Sequence, residues 1–355
     1  MELVGGGVVQ ALLRAGDQAA FAALCALASV ADAPVGEAAG LAARRLGERG
    51  TKPPAWKDEL GSATPVQARL LREDVFDDGV SVLVEFELAD GTLETLGVYV
   101  DHNLSGSAKD IFVGGSLREV ADVLASAPDD GVDVRLDALS LGEAAARIRE
   151  GLELTDMTLA APVSEGYWEL RSLAGARLRS LPQGVELPGR EGVEPEERER
   201  LLEEFLASPE GSRFRGSVYE EGVVALAIDF GADYVDGRPL RWSPVVVELF
   251  MADWLPRKVA HDQEFFAAVP DALREWVRFA GRTRGIPAQA IELTVESVAE
   301  WAEELVEAAT DPAGWGPAKM LASAMREAGV DAHDEQAVQA LVDELNARPA
   351  GLRDS

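Results

Sequence analysis

The sequence is poor in cysteine, histidine and lysine: it has one cysteine, Cys25, three histidines (His102, His261, His333) and five lysines. A single thiol can form neither an internal disulfide nor a four-thiolate zinc site, so a reducing, cytoplasmic setting is the expectation. Cys25 lies in Phe21-Ala22-Ala23-Leu24-Cys25-Ala26-Leu27, an apolar helical run that reads as core. Three scattered histidines do not make a histidine-rich metal site, and no metal or cofactor is expected. The sequence contains no G-x-S-x-G, G-x-G-x-x-G or H-E-x-x-H. Gly106-Ser107-Ala108-Lys109-Asp110 lacks the spacing of a phosphate loop. No apolar stretch approaches the roughly 18–20 residues that span a bilayer. Met1-Glu2-Leu3-Val4-Gly5 has an early acid and no basic n-region, so no secretory signal is expected.

What the chain has in excess is acid. Thirty-three Lys and Arg against 63 Asp and Glu give a formal charge of −30 over 355 residues. Nucleic-acid affinity rests on neutralising phosphates with basic side chains, and anionic membranes attract basic segments. Both partners are disfavoured, while cationic groups and basic protein surfaces stay open. The plainer use of such a charge is solubility. Abundant Ala and Gly, with Arg outnumbering Lys, suggest a GC-rich bacterial coding sequence.

The periodicity predicts an α+β protein that is predominantly helical. A small antiparallel sheet with packed helices is followed by a C-terminal all-α domain. The first domain is expected over residues 1–136, a helical connection over 137–187, a linker over 188–194 and the helical domain over 195–355. In the first domain Asp17 can cap a helix bearing Phe21, Leu24 and Cys25. Val82, Val84, Phe86 and Leu88 alternate with Glu85 and Glu87, as in a strand with one wet face. Asp90-Gly91 reads as a two-residue hairpin turn into Leu96–Val100. Val66–Leu71 and Val132–Leu136 are weaker strand candidates. Ser116/Glu119 and Ser140/Glu143 read as capping boxes, and Ser164 as the cap of a helix through Tyr167, Trp168 and Leu173. Pro195 and Pro244 suit first helical turns. Pro270, Thr294 and Pro317 read as later helix starts.

Two clusters carry candidate chemistry. Asp101, His102, Asn103, Lys109 and Asp110 follow a predicted strand directly, where sites tend to sit on a rigid sheet. They can act as ligands, as a base oriented by an acid, or as an anion site. An Asp-His-Asn run equally makes a turn held by its own side chains. The second cluster is Trp242, Phe250, Trp254, Arg257 and Lys258. At helical spacing these read as a core helix or as a partner-binding groove, since Trp and Arg are favoured at hot spots. Arg274, Arg278 and Arg282 fall on one helical side, and pairing with surrounding acid is their plain reading.

Val98-Tyr99-Val100-Asp101-His102-Asn103-Leu104 with Ala108-Lys109-Asp110 resembles an uncharacterised family of acidic proteins from high-GC bacteria. Trp242-Ser243-Pro244, Asp253 to Lys258 and Gly314 to Lys319 are similar to it as well. The resemblance implies no activity. The expectation is therefore a non-catalytic cytoplasmic interaction or regulatory protein with a protein partner. The alternatives are an enzyme or a metal- or anion-binding protein centred on the 101–110 loop, and an acidic nucleic-acid mimic.

Overall fold

A computed structural model describes residues 2–58, 61–126, 134–187, 189, 192–330 and 334–347. The chain divides into two compact units, Met1–Gly189 and Arg190–Ser355. It is α+β and predominantly helical, with its strands in the first unit. Of the expected 188–194 linker, residues 188, 190 and 191 lie outside the described residues, as do Val132 of the predicted strand and His333.

The first unit opens with three helices, α1 (Glu2–Ala15), α2 (Gln18–Val30) and α3 (Val35–Glu48). The Asp17 carboxylate accepts the Ala20 N–H and caps α2. Phe21, Leu24, Cys25, Ala39, Ala42 and Leu46 bury one shared core. Then come β1 (Thr64–Arg72), β2 (Gly79–Glu87), β3 (Leu93–Asp101), β4 (Ser107–Gly114), α4 (Leu117–Ser126), β5 (Arg135–Leu139), α5 (Leu141–Met157) and α6 (Tyr167–Arg179). The five strands are antiparallel in the order β4-β3-β2-β1-β5.

The sheet has two different faces because side chains alternate along each strand. One presents Ala68, Leu70, Val80, Val82, Val84, Phe86, Leu96, Val98 and Ile111 to α5 and α6. Segment 137–187 is thus part of this unit's core: Ala144, Ile148, Leu152, Tyr167 and Ala174 pack on the strands. Gly151 brings α5 against the β4 backbone, where a Cβ would lie 3.3 Å from Ala108 N, and Thr155 donates to the Ala108 carbonyl at 2.7 Å. On the other face α4 covers Leu83 with Leu117 and Val120. β2 is buried on both faces, so the wet face expected from Glu85 and Glu87 holds only at Glu87. Glu85 is buried because it is used. It accepts the Leu117 N–H at 2.8 Å and the Gln67 amide at 2.8 Å, placing a carboxylate at the start of α4.

Two local expectations are corrected. At Asp90-Gly91 only Gly91 has positive φ, at 82°. Gly91 N–H donates to Leu88 O and Leu88 N–H to Thr92 O, so the hairpin is a longer turn and not a two-residue one. Ser164 does not cap α6; Gly166 holds that position, and the Ser164 hydroxyl is given to Asp110. Both predicted capping boxes are present.

The second unit contains α7 (Pro195–Ala207), α8 (Val218–Phe230), α9 (Pro244–Glu248), α10 (Leu255–Lys258), α11 (Gln263–Arg284), α12 (Ala288–Glu300), α13 (Ala302–Thr310), α14 (Pro317–Ala328) and α15 (Glu335–Ala347). Wider π turns follow α8 at Gly231–Val235 and α9 at Leu249–Trp254. Pro270 lies inside α11 rather than at its start, because Asp262 caps the helix through the Phe265 N–H and a further buried turn precedes the proline. Thr294 likewise sits inside α12, its hydroxyl bonded back to Ala290 O. Both faces of α11 bury large side chains, including Phe265, Leu273, Trp276 and Phe279.

Candidate functional site

The outer face of the sheet is built in cross-strand rows. Pairing sets Leu71 opposite Ser81, Ser81 opposite Tyr99 and Tyr99 opposite Asp110. The neighbouring row toward α4 is Arg69, Leu83, Gly97 and Phe112. In the row beyond Tyr99, Gly79 faces Asp101. Two aromatic rings lie over glycine: a Cβ at Gly79 would collide with the Tyr99 phenol, and one at Gly97 with the Phe112 ring. Glycine inside a strand commonly marks such a close approach. The rings therefore rest against the sheet.

Over these rows lies a cavity of about 450 Å³ lined by Leu71, Glu73, Ser81, Tyr99, Lys109, Asp110, Phe112, Pro162, Val163 and Ser164. One wall is the loop between α5 and α6, anchored by Ser164 N–H on Lys109 O at 2.9 Å and by the Ser164 hydroxyl on Asp110. At the rim the Ser81 hydroxyl reaches Glu73 at 3.3 Å. Among the described residues, neither Glu73 nor Asp110 has a cationic partner. The Tyr99 phenol is pushed well above its ordinary range, first by burial and then by the charges of Asp101, Asp74, Asp78 and Glu73. It remains a neutral hydrogen-bond donor in a negative surrounding.

The five sequence candidates in this region divide. Lys109 and Asp110 line the cavity. Asp101 lies buried beside it, accepting Lys109 Nζ at 3.1 Å and the Asn103 N–H at 2.8 Å. His102 and Asn103 belong to a single 3₁₀ turn, His102–Leu104, that Asp101 caps. His102 Nδ1–H donates to the Asp77 carbonyl at 2.9 Å, and its backbone N–H to Asp78 O at 2.8 Å. That pins the end of β3 to the 73–78 loop, which is itself wound around Asp74: its carboxylate accepts the N–H groups of Phe76, Asp77 and Asp78. His102 and Asn103 do not line the cavity. Glu73, Ser81, Tyr99 and Phe112 were not singled out from the sequence, and Ser164 only as a helix cap. The legible signal was Gly79 and Gly97 within otherwise bulky strands.

In the second unit Trp242, Phe250 and Trp254 are buried in one aromatic cluster with Phe230. Trp242 Nε1 donates to Pro239 O at 2.9 Å. All three rings are buried. Arg257 and Lys258 are exposed, and Arg257 pairs with Asp253 one turn earlier at 2.7 Å. Three arginines of α11 are matched by acid: Arg274 with Asp271, Arg278 with Glu275 and Glu292, Arg282 with Glu210.

Two further cavities in the first unit hold arginines that are already paired. Arg177, in one of about 480 Å³, meets Glu94 at 2.8 Å. In one of about 580 Å³, Arg171 pairs with Asp156 and Arg179 with Asp32. No three His, Cys, Asp or Glu side chains are arranged to hold a metal ion among the described residues. No described helix is long and apolar enough to cross a membrane.

Comparison with family models, curated proteins and solved structures finds no match to this chain.

Proposed function

We propose that this is a non-catalytic interaction protein whose outer-sheet cavity takes up a cationic group of a basic partner protein. The observation that carries this reading is a cavity lined by Tyr99 and Phe112 in which two carboxylates, Glu73 and Asp110, have no cationic partner among the described residues, while the one lining lysine, Lys109, is paired with Asp101. An aromatic face attracts cations through its quadrupole, and carboxylates add charge-assisted hydrogen bonds. The apolar walls Leu71, Pro162 and Val163 suit the methylene stem of a long basic side chain. The formal charge of −30 steers a basic partner toward the surface.

The same groups argue against catalysis. A general base works best with a pKa near the operating pH, yet Tyr99 is driven away from neutrality. Asp101 and His102 are engaged in holding the loop. A cytoplasmic setting belongs to this reading and is supported by the lone, buried Cys25.

The test is fluorescence anisotropy with a labelled peptide of mixed Lys, Arg and Gly. The double variant Glu73→Gln/Asp110→Asn should weaken binding at least tenfold with an unchanged melting temperature. An equally charged surface control, Glu196→Gln/Glu197→Gln on α7, should weaken it far less. Equal losses in the two variants would sink the proposal, because binding would then follow total charge and not the cavity.

A further inference from the structure

We infer that the group this cavity selects is the guanidinium of an arginine side chain in the partner; the inference rests on the cation-binding reading above. Two glycines set the shape of the cavity. Because position 79 has no Cβ, the Tyr99 ring lies down over it, and the Phe112 ring does the same over Gly97. Tyr99 and Phe112 come from neighbouring strands, with Gly97 opposite Phe112 and Asp110 opposite Tyr99. The cavity is thus lined by two aromatic rings laid along the sheet, with acceptors and the Lys109 side chain among its other lining residues. Those acceptors are the Glu73 and Asp110 carboxylates and the Ser81 and Ser164 hydroxyls.

This layout matches one cation better than the other. A guanidinium is planar, weakly hydrated and stacks on an aromatic face while its N–H groups radiate in its own plane toward surrounding acceptors. An ammonium is a compact, strongly hydrated point charge that must have its water replaced from several sides. Here the loop at Pro162 and Val163 lines the cavity with the rings, and Glu73 is exposed. The rings and acceptors therefore suit a stacked plane with two carboxylate partners. Lys109 does not fill that role itself, since its ammonium is drawn to buried Asp101.

The experiment compares two peptides of equal length and charge, one carrying only Arg and the other only Lys as its basic residues, against the full chain. Wild type should bind the Arg peptide at least threefold more tightly. Tyr99→Leu should bring the two affinities together, while Tyr99→Phe, which keeps the ring face, should retain the preference. Melting temperatures of both variants establish that they are folded. If Tyr99→Leu proves unfolded, Phe112→Leu makes the same comparison on the neighbouring ring. Equal affinities for both peptides in wild type, weakened by Glu73→Gln/Asp110→Asn, would overturn the arginine inference and leave the cation-binding reading standing. No binding of either peptide would overturn both.

Discussion

Single residues in this protein carry charge in places where it must be compensated, and each place is a prediction. Among the described residues Glu85 is buried with no cationic partner, yet both of its oxygens accept hydrogen bonds, from Leu117 N–H and Gln67. Glu85→Leu leaves two donors unpaired and should destabilise the first unit by about 2–4 kcal/mol, read as a lower urea midpoint. Lys319 is buried among Trp315, Phe266 and the carbonyls of Pro256 and Ala309. Burial pushes its ammonium down to about 8 from 10.5. Its folded form therefore binds fewer protons than the unfolded chain between those values, so its contribution to stability rises as pH increases from about 8 toward 10.5. The stability difference between wild type and Lys319→Met should move in favour of wild type across that window; a flat or opposite trend in denaturation midpoints contradicts the assignment. The carbonyls and ring faces favour the ammonium and oppose the shift. Little of this was legible beforehand. The Asp101–Asp110 run stood out by composition, but which of its side chains face a cavity depends on the 3₁₀ turn at His102–Leu104 and on the shifted register of β3 against β4, and composition carries no register.

At the scale of elements, local chemistry was the more readable part. Asp17, Ser116 with Glu119, Ser140 with Glu143, Pro195 and Ser243-Pro244 all mark helix starts that the structure contains. Proline misled at position 270, because a buried turn carrying Phe265 and Phe266 outweighs the hydrogen bond that proline removes. Pairing across the sheet was less readable, since it depends on strands far apart in the chain. Gly97 shows the consequence: alone it reads as a weak strand residue, and only pairing reveals Phe112 above it. Gly97→Ala should displace that ring and cost about 1–3 kcal/mol. It should also weaken cation binding, whereas Gly91→Ala in the hairpin turn, which meets nothing within 4 Å but strains a positive φ, should affect stability alone. The aromatic cluster of the second unit should behave as core. Trp242→Ala or Phe250→Ala should cost about 3–5 kcal/mol in denaturation, with any loss of binding following unfolding.

For the molecule as a whole, charge was visible from the first line of the sequence and its use was not. An excess of acid serves solubility, a nucleic-acid mimic and a basic-partner receptor alike. We propose the receptor because Glu73 and Asp110, without cationic partners among the described residues, line one cavity of the first unit. Binding through that cavity should weaken between about 50 and 500 mM salt as charges are screened, but a residual affinity should persist from the ring contacts. The most direct measurement is a transverse-relaxation-optimised NMR titration of the isotope-labelled full chain with an arginine-bearing peptide. The account predicts saturable shifts concentrated at Ser81, Tyr99, Asp110, Phe112 and Ser164, with small changes over the remaining acidic surface. Shifts scattered across acidic helices of both units, or absent from the β2–β4 outer face, would contradict it.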